Sequence, residues 1–168
     1  MVHLRVSRLS FAGKPQVSGH LWSDTANSEE HERMSQVTWK DEPEDRDFPA
    51  ASSYLLLLSA PAVVDDLVQR LRDVPTGHWK AKDILRAAGL PLLPVDNPHV
   101  ASDLRKIHDG KQLSPVLLVR GDLVAGRVLQ VADGYHRVCA SYHTDENTDI
   151  PCRLVSTTGD VDTGRRAP

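Results

Sequence analysis

The hydrophobic and polar positions change their period along the chain, and each change marks a predicted element. Apolar residues alternate at Val2, Leu4 and Val6, which predicts a strand with one buried face. Residues 16–23 predict a second, returning strand. Residues 24–49 contain nine acidic residues, three basic residues and few apolar ones, which predicts an exposed loop or linker.

The middle of the chain predicts one strand followed by three helices. The continuous apolar run Tyr54–Leu58 is typical of a short buried strand. Each of the three helices is marked by apolar residues at helical spacing and by a proline near its start, a glycine after its end, or both. The predicted helices run from Ser59 to Val74, from Lys80 to Ala88 and from Asn97 to Gly110.

The C-terminal half predicts two strands joined by a hairpin-like loop, then a turn, a helix and a last strand. The strands cover residues 116–119, 128–132 and 150–155, and Asp133-Gly134 forms the turn before the helix. This mixture of strands and helices predicts an α/β (α+β) protein.

Composition narrows the function classes. The chain has 168 residues, 40% hydrophobic and 26% charged, with a net charge of −3. An acidic balance argues against direct DNA binding, which usually requires a basic surface. The longest apolar run is too short to span a membrane. Two cysteines without a CxxC motif, and an N-terminus without an apolar signal-peptide core, predict a cytoplasmic protein.

The turn between the predicted strand and helix carries the candidate chemistry. A helix N-terminus has unpaired backbone N–H groups and favours negative charge, so a strand, a Gly turn and a helix form an anion site. His136 and Arg137 add phosphate donors in the first turn, and Asp133 is placed to hold Mg²⁺ or to accept a proton. The alternative is a plain tight turn whose His136 and Arg137 face solvent.

Asp133-Gly134-Tyr135-His136-Arg137 resembles the D-G-x-H-R box of the ParB/sulfiredoxin superfamily, and the flanking segments 113–119 and 149–155 resemble the strands before and after that box. The resemblance implies a ParB/sulfiredoxin-like domain over residues 53–155, a small mixed sheet flanked by helices. Residues 1–52 are then an N-terminal extension and residues 156–168 a disordered tail. It also implies that Gly134, Tyr135, His136 and Arg137 bind a nucleotide, ATP or CTP with Mg²⁺, and that Arg137→Ala abolishes binding in a folded protein.

The same resemblance implies further site residues on the third predicted helix and just before it. In sulfiredoxin-like members, residues of this helix contact the nucleotide phosphates, and the corresponding positions here are His99, Ser102 and Lys106. In free-serine kinases of this fold an acidic residue before the helix acts as the base, which implies a catalytic role for Asp96 beside Asp133. Asp96 is equally well placed to cap the helix. Sulfiredoxin activity itself is not expected, because Tyr135 replaces the reactive cysteine.

Three functional classes therefore stay open. The first is a Mg²⁺-dependent phosphotransferase or NTPase acting on a small hydroxyl substrate. The second is a non-catalytic module that binds a nucleotide and responds by dimerising or binding a protein partner. The third is a DNA-associated ParB-like protein without its own helix-turn-helix. A separate, weaker alternative is zinc held by His136, Cys139 and His143, which share one helical face.

Overall fold

A computed structural model of the protein describes residues 36–157. The strands predicted at residues 2–6 and 16–23, and nearly all of the predicted tail, lie outside this range. The helices are α1 (Asp47–Leu55), α2 (Pro61–Asp73), α3 (Ala81–Ala88), α4 (Pro98–His108) and α5 (Tyr135–Thr144). The strands are β1 (Gly77–Lys80), β2 (Val116–Val119), β3 (Gln130–Asp133) and β4 (Asp149–Val155).

The four strands form one mixed sheet in the order β1-β4-β2-β3. β1 pairs antiparallel with β4, β4 pairs parallel with β2, and β2 pairs antiparallel with β3. The parallel pair is joined through β3 and α5, because parallel neighbours need a crossover connection. The predicted α/β class, a small mixed sheet flanked by helices, is confirmed.

Helices cover both faces of the sheet, as the side chains of strand β2 show. Val116 and Leu118 belong to one buried cluster, formed with α3, α4 and α5, whereas Leu117 and Val119 belong to a second, formed with α1 and α2. Side chains alternate between the faces of a strand, so a strand covered on both sides is apolar at every position. This explains the continuous run Val116–Val119.

The predicted strand at Tyr54–Leu58 is wrong. Tyr54 and Leu55 end helix α1, and residues 56–58 form an exposed turn in which Leu57 is 81% exposed. Phe48, Ala51 and Leu55 form the buried face of α1 at helical spacing. A short apolar run does not by itself distinguish a strand from the end of a helix. Here the helical spacing of the apolar residues before the run indicates a helix.

The N-terminal part of the described chain is more ordered than its charge predicts. The loop predicted over residues 24–49 is wrong for Asp47, Phe48 and Pro49, which lie in α1. Asp47 and Phe48 are buried. Helix α1 also runs across residues 52 and 53, where the extension was expected to meet the domain.

The three predicted helices are confirmed as α2, α3 and α4, each shifted by a residue or two at its ends. Gly89 ends α3 with φ 62°, and Gly110 follows α4 with φ 66°, a left-handed conformation that glycine adopts readily. Within α2, Val64, Leu67 and Leu71 form the buried stripe, whereas Val63 is exposed. Strand β1 was not predicted, because its four residues have no apolar alternation.

Candidate functional site

The predicted strand-turn-helix is present and depends on Gly134. β3 ends at Asp133, and Gly134 precedes the first residue of α5 with φ 101°. A Cβ atom at this position would meet the Cγ2 atom of Val116 at 2.9 Å, so both the backbone conformation and the available space require glycine. None of the described side chains caps α5, so its first N–H groups are open to an acceptor.

The N-terminus of α5 opens into a polar cleft of about 630 Å³. The opposite walls come from the N-terminal end of α1 and the residues just before it, from one face of α4, and from the loop before β2. The side chains that define the cleft chemically are Glu44, Arg46, Asp47, His99, Asp103, Lys106, Gln112, Ser114, Asp133, His136 and Arg137. The structure thus brings together six of the predicted residues in the cleft lining: His99, Lys106, Asp133, Gly134, His136 and Arg137.

Arg137 is turned inward and tied to the protein. Its side chain is only 12% exposed. Nη1 donates to the carbonyl oxygens of Ser114 at 2.8 Å and Pro115 at 3.2 Å, and Nη2 forms an ion pair with Asp133. A guanidinium with these partners holds the turn in place from the protein interior. It therefore supports the N-terminus of α5 and is not a free phosphate clamp.

Asp47 completes this network and was not expected in the site. Its Oδ2 atom lies 3.4 Å from Nη1 of Arg137 and accepts hydrogen bonds from the hydroxyl of Ser114 and from the backbone N–H of Glu44, the latter at 2.9 Å. Asp47 belongs to the acidic stretch assigned to a linker, and its neighbours in sequence gave no sign of burial.

Asp133 is a half-buried carboxyl group with competing neighbours. Burial raises the pKa of Asp133, the Arg137 guanidinium opposes that rise, and the nearby Asp47 carboxyl group adds to it. Two carboxyl groups beside one guanidinium leave a surplus negative charge when both are ionised. The arrangement therefore favours a proton on Asp133 at a higher pH than an exposed aspartate would allow.

His136 and His99 form a ring pair at the mouth of the cleft. Their ring centroids are 4.6 Å apart with an interplanar angle of 37°. Burial lowers the pKa of His136, and the neighbouring His99 lowers it further. A neutral imidazole still donates one hydrogen bond, and a bound anion would favour the charged form of His136.

Helix α4 presents a slightly different face from the one expected. His99, Asp103 and Lys106 line the cleft at i, i+4 and i+7, and the Lys106 ammonium lies 2.6 Å from the Asp103 carboxylate. Ser102, one position earlier, is half-buried and does not line the cleft. Asp103 is thus a site residue that the sequence analysis missed.

Tyr135 and Asp96 lie away from the cleft lining. The Tyr135 hydroxyl donates to the carbonyl oxygen of Pro91, its ring packs on the buried cluster, and burial raises its pKa. Asp96 is exposed in the turn before α4. The cap of that helix is Asn97, whose Oδ1 accepts from the N–H groups of His99 at 3.1 Å and Val100 at 3.3 Å.

The structure gives the three residues of the zinc alternative different surroundings. Cys139 is fully buried in the core, where burial raises its thiol pKa, and His143 Nε2 lies 2.7 Å from the carbonyl oxygen of Leu93. Among residues 36–157 there is no group of three or more His, Cys, Asp or Glu side chains that could hold a metal ion. Cys152 is likewise buried with a raised pKa.

Comparison with known proteins identifies no relative. The sequence matches no family model, no curated protein and no solved structure. Across the described range, no helix has both the length and the apolar character needed to cross a membrane.

Proposed function

We propose that the cleft binds the phosphate groups of a nucleotide, ATP or CTP. The observation that carries this proposal is that the uncapped N-terminus of α5 opens into the same cleft as His99, His136 and Lys106. Backbone N–H groups, the helix dipole and nearby cationic or donor side chains are the elements of a phosphate site. The resemblance to ParB/sulfiredoxin domains supports the same assignment.

The pairing of the acidic side chains favours binding over catalysis. Asp103 pairs with Lys106, and Asp133 pairs with Arg137. Glu44 forms ion pairs with Lys40 and Arg46 at the rim. A general base must be free to take a proton from the attacking hydroxyl group, and each of these carboxylates already has a cationic partner. We therefore place a nucleotide-responsive binding module first.

A Mg²⁺-dependent phosphotransferase or NTPase is the second candidate, and the raised pKa of Asp133 favours it. A carboxyl group whose pKa is shifted toward neutrality, beside a phosphate site, is suited to proton transfer with a small hydroxyl substrate. Asp133 fits a free Mg²⁺ ion poorly, because the guanidinium of Arg137 next to it repels a divalent cation. Mg²⁺ would instead be bound mainly by the nucleotide phosphates, as is usual for this ion.

The test is a thermal-shift and calorimetric comparison of ATP, CTP, GTP and ADP, each with and without Mg²⁺. A ligand that binds the native state raises its melting temperature by mass action. His136→Ala is expected to remove most of the shift. His108→Ala is the matched control, because His108 is an exposed histidine outside the cleft lining. The absence of any shift with the native protein, or equal shifts in the His136→Ala variant, would overturn the proposal.

Turnover separates the two candidates. Transfer of labelled γ-phosphate to serine or another small hydroxyl compound, or release of phosphate, is expected only from an enzyme. Nucleotide binding without either product, at saturating nucleotide and Mg²⁺, supports the binding module.

A further inference from the structure

Two arginines line the cleft, and they differ in how freely their guanidinium groups can move. Arg137 is fixed, because its side chain is 12% exposed and is bonded to Asp133 and to the carbonyl oxygen of Ser114. Arg46 immediately precedes α1, and its side chain is 79% exposed. Its Nε atom forms an ion pair with the Glu44 carboxylate. Arg46 is therefore the arginine of the cleft that can turn toward a ligand.

The Glu44 carboxylate has a second cation besides Arg46. Its Oε1 atom accepts a hydrogen bond from the ammonium group of Lys40, whereas its Oε2 atom pairs with Arg46. The bond from Lys40 is the main cause that holds the pKa of Glu44 below its usual range. Glu44 therefore stays ionised and paired when Arg46 leaves it. The pair that breaks is an exposed one, and such pairs contribute little to stability.

The other permanent cations of the cleft cannot leave their partners as easily. The Lys106 ammonium lies 2.6 Å from the carboxylate of Asp103, whose side chain is only 10% exposed. Arg137 neutralises Asp47 and Asp133, which are also largely withdrawn from water. Removing the cation from a carboxylate with little access to water is strongly unfavourable. Release of Arg46 avoids that cost, because Lys40 remains with Glu44.

The backbone of Arg46 is held next to the candidate phosphate site. Its carbonyl oxygen accepts from the N–H group of Ala50 at 3.4 Å, in the first turn of α1. The next residue, Asp47, lies 3.4 Å from the guanidinium of Arg137 in the first turn of α5. A fixed backbone with an exposed guanidinium suits an arginine that binds an anion through two parallel hydrogen bonds.

We propose that Arg46 is a phosphate-binding residue of the cleft: its guanidinium moves from Glu44 to a phosphate group of the bound nucleotide, while Lys40 keeps Glu44 paired. This role rests on the proposed nucleotide binding and adds to it a residue outside the turn at residues 133–137. Cations then contact the ligand from two walls of the cleft, Arg46 from the segment before α1 and Lys106 from α4. Glu44 competes with the phosphate for the same guanidinium.

Calorimetry on the full chain with ATP and CTP, each with Mg²⁺, tests this role. Arg46→Ala is expected to raise the dissociation constant about tenfold, as the loss of one hydrogen bond between charged groups would do. Arg86→Ala is the matched control, because Arg86 is 82% exposed, pairs with the nearby Asp83 and lies outside the cleft lining. It removes the same charge and should leave the dissociation constant unchanged. Arg46→Lys keeps the charge and should recover part of the lost affinity.

Two further measurements separate a ligand contact from a structural role. Without nucleotide, Arg46→Ala should melt at the same temperature as the native protein, since the pair it removes is exposed. Glu44→Gln should lower the dissociation constant more in the native background than in the Arg46→Ala background, because it releases Arg46 only where Arg46 is present.

The outcomes distinguish this role from the proposed function. If the native protein binds nucleotide and Arg46→Ala binds it as tightly as Arg86→Ala does, the role of Arg46 is overturned and the proposed function stands. Equal effects of Glu44→Gln in the two backgrounds would also overturn the role of Arg46. A native protein that binds neither ATP nor CTP would overturn both.

Discussion

Asp47 and Arg137 are 90 positions apart in the sequence, and their carboxylate and guanidinium meet beneath the cleft at 3.4 Å. The contact joins the start of α1 to the first turn of α5. Both side chains are largely withdrawn from water, and the Ser114 carbonyl and hydroxyl groups complete their bonding. The acidic segment that precedes α1 is therefore connected directly to the predicted phosphate site, and the turn at residues 133–137 depends on residues far from it.

Arg137→Ala is expected to destabilise the protein, and not merely to remove a ligand contact. It leaves the carboxyl groups of Asp47 and Asp133 without their shared cation. Breaking a buried ion pair from one side typically costs about 3–5 kcal/mol in the free energy of unfolding. Urea denaturation measures this loss. Arg70→Ala is the matched control: its ion pair with Asp66 is exposed, and such i,i+4 pairs contribute about 0.3–0.5 kcal/mol. Equal losses in the two variants would contradict the buried role of Arg137.

Asp133→Asn is expected to change how stability depends on pH. Burial raises the pKa of Asp133 in the folded state above its value of 3.8 in the unfolded chain. The folded protein then binds the proton more tightly, so this group's contribution is fully present below pH 3.8 and is lost as the pH rises through the folded pKa.

Asparagine resembles the protonated carboxyl group and does not titrate. The stability of the variant relative to the native protein should therefore increase from acid to neutral pH, as measured by denaturation at a series of pH values. Parallel pH curves for the two proteins would show that Asp133 has an ordinary pKa in the folded state.

Local sequence signals were sufficient to predict the structure where a single residue determines the backbone conformation. Asn97 was predicted as part of the helix start and accepts the two capping hydrogen bonds there, and Gly89 was predicted as a helix stop and adopts the left-handed conformation. The turn at Asp133-Gly134 likewise follows from the strand pattern and the glycine. These features depend on residues within one or two turns of the chain, so the sequence pattern contains them.

The sequence pattern did not determine which way a side chain faces where that direction depends on contacts between distant parts of the chain. An arginine in the first turn of a helix is compatible with facing solvent, a ligand or the interior. The partners that turn Arg137 inward are Asp47, Ser114, Pro115 and Asp133. Asp103 lines the cleft and Ser102 does not, although the two are neighbours on α4. Helical spacing fixes which residues share a face and does not fix which face meets the site.

Gly134→Ala is expected to damage the site through its backbone. The change forces a side chain into φ 101° and brings a Cβ atom to 2.9 Å from Val116. Strain of this kind costs about 1–3 kcal/mol. Gly89→Ala provides the control, because it also has positive φ but has no heavy atom within 4 Å of the added Cβ. Denaturation should show a larger loss at position 134, and only that variant should lose nucleotide-induced stabilisation.

The affinity for nucleotide is expected to depend on pH through His136. Burial and the neighbouring His99 hold its pKa below 6.5 in the free protein, so His136 is neutral at pH 7.5. A bound phosphate stabilises the charged imidazolium and raises that pKa, so affinity must increase as the pH falls toward the pKa of the free histidine. The ligand itself titrates near pH 6, and the comparison with His136→Gln at each pH removes that contribution because the variant sees the same ligand. Calorimetry should therefore show an affinity ratio of native protein to variant that grows from pH 7.5 to pH 5.5. A ratio that is constant over this range would mean that His136 does not contact the phosphate.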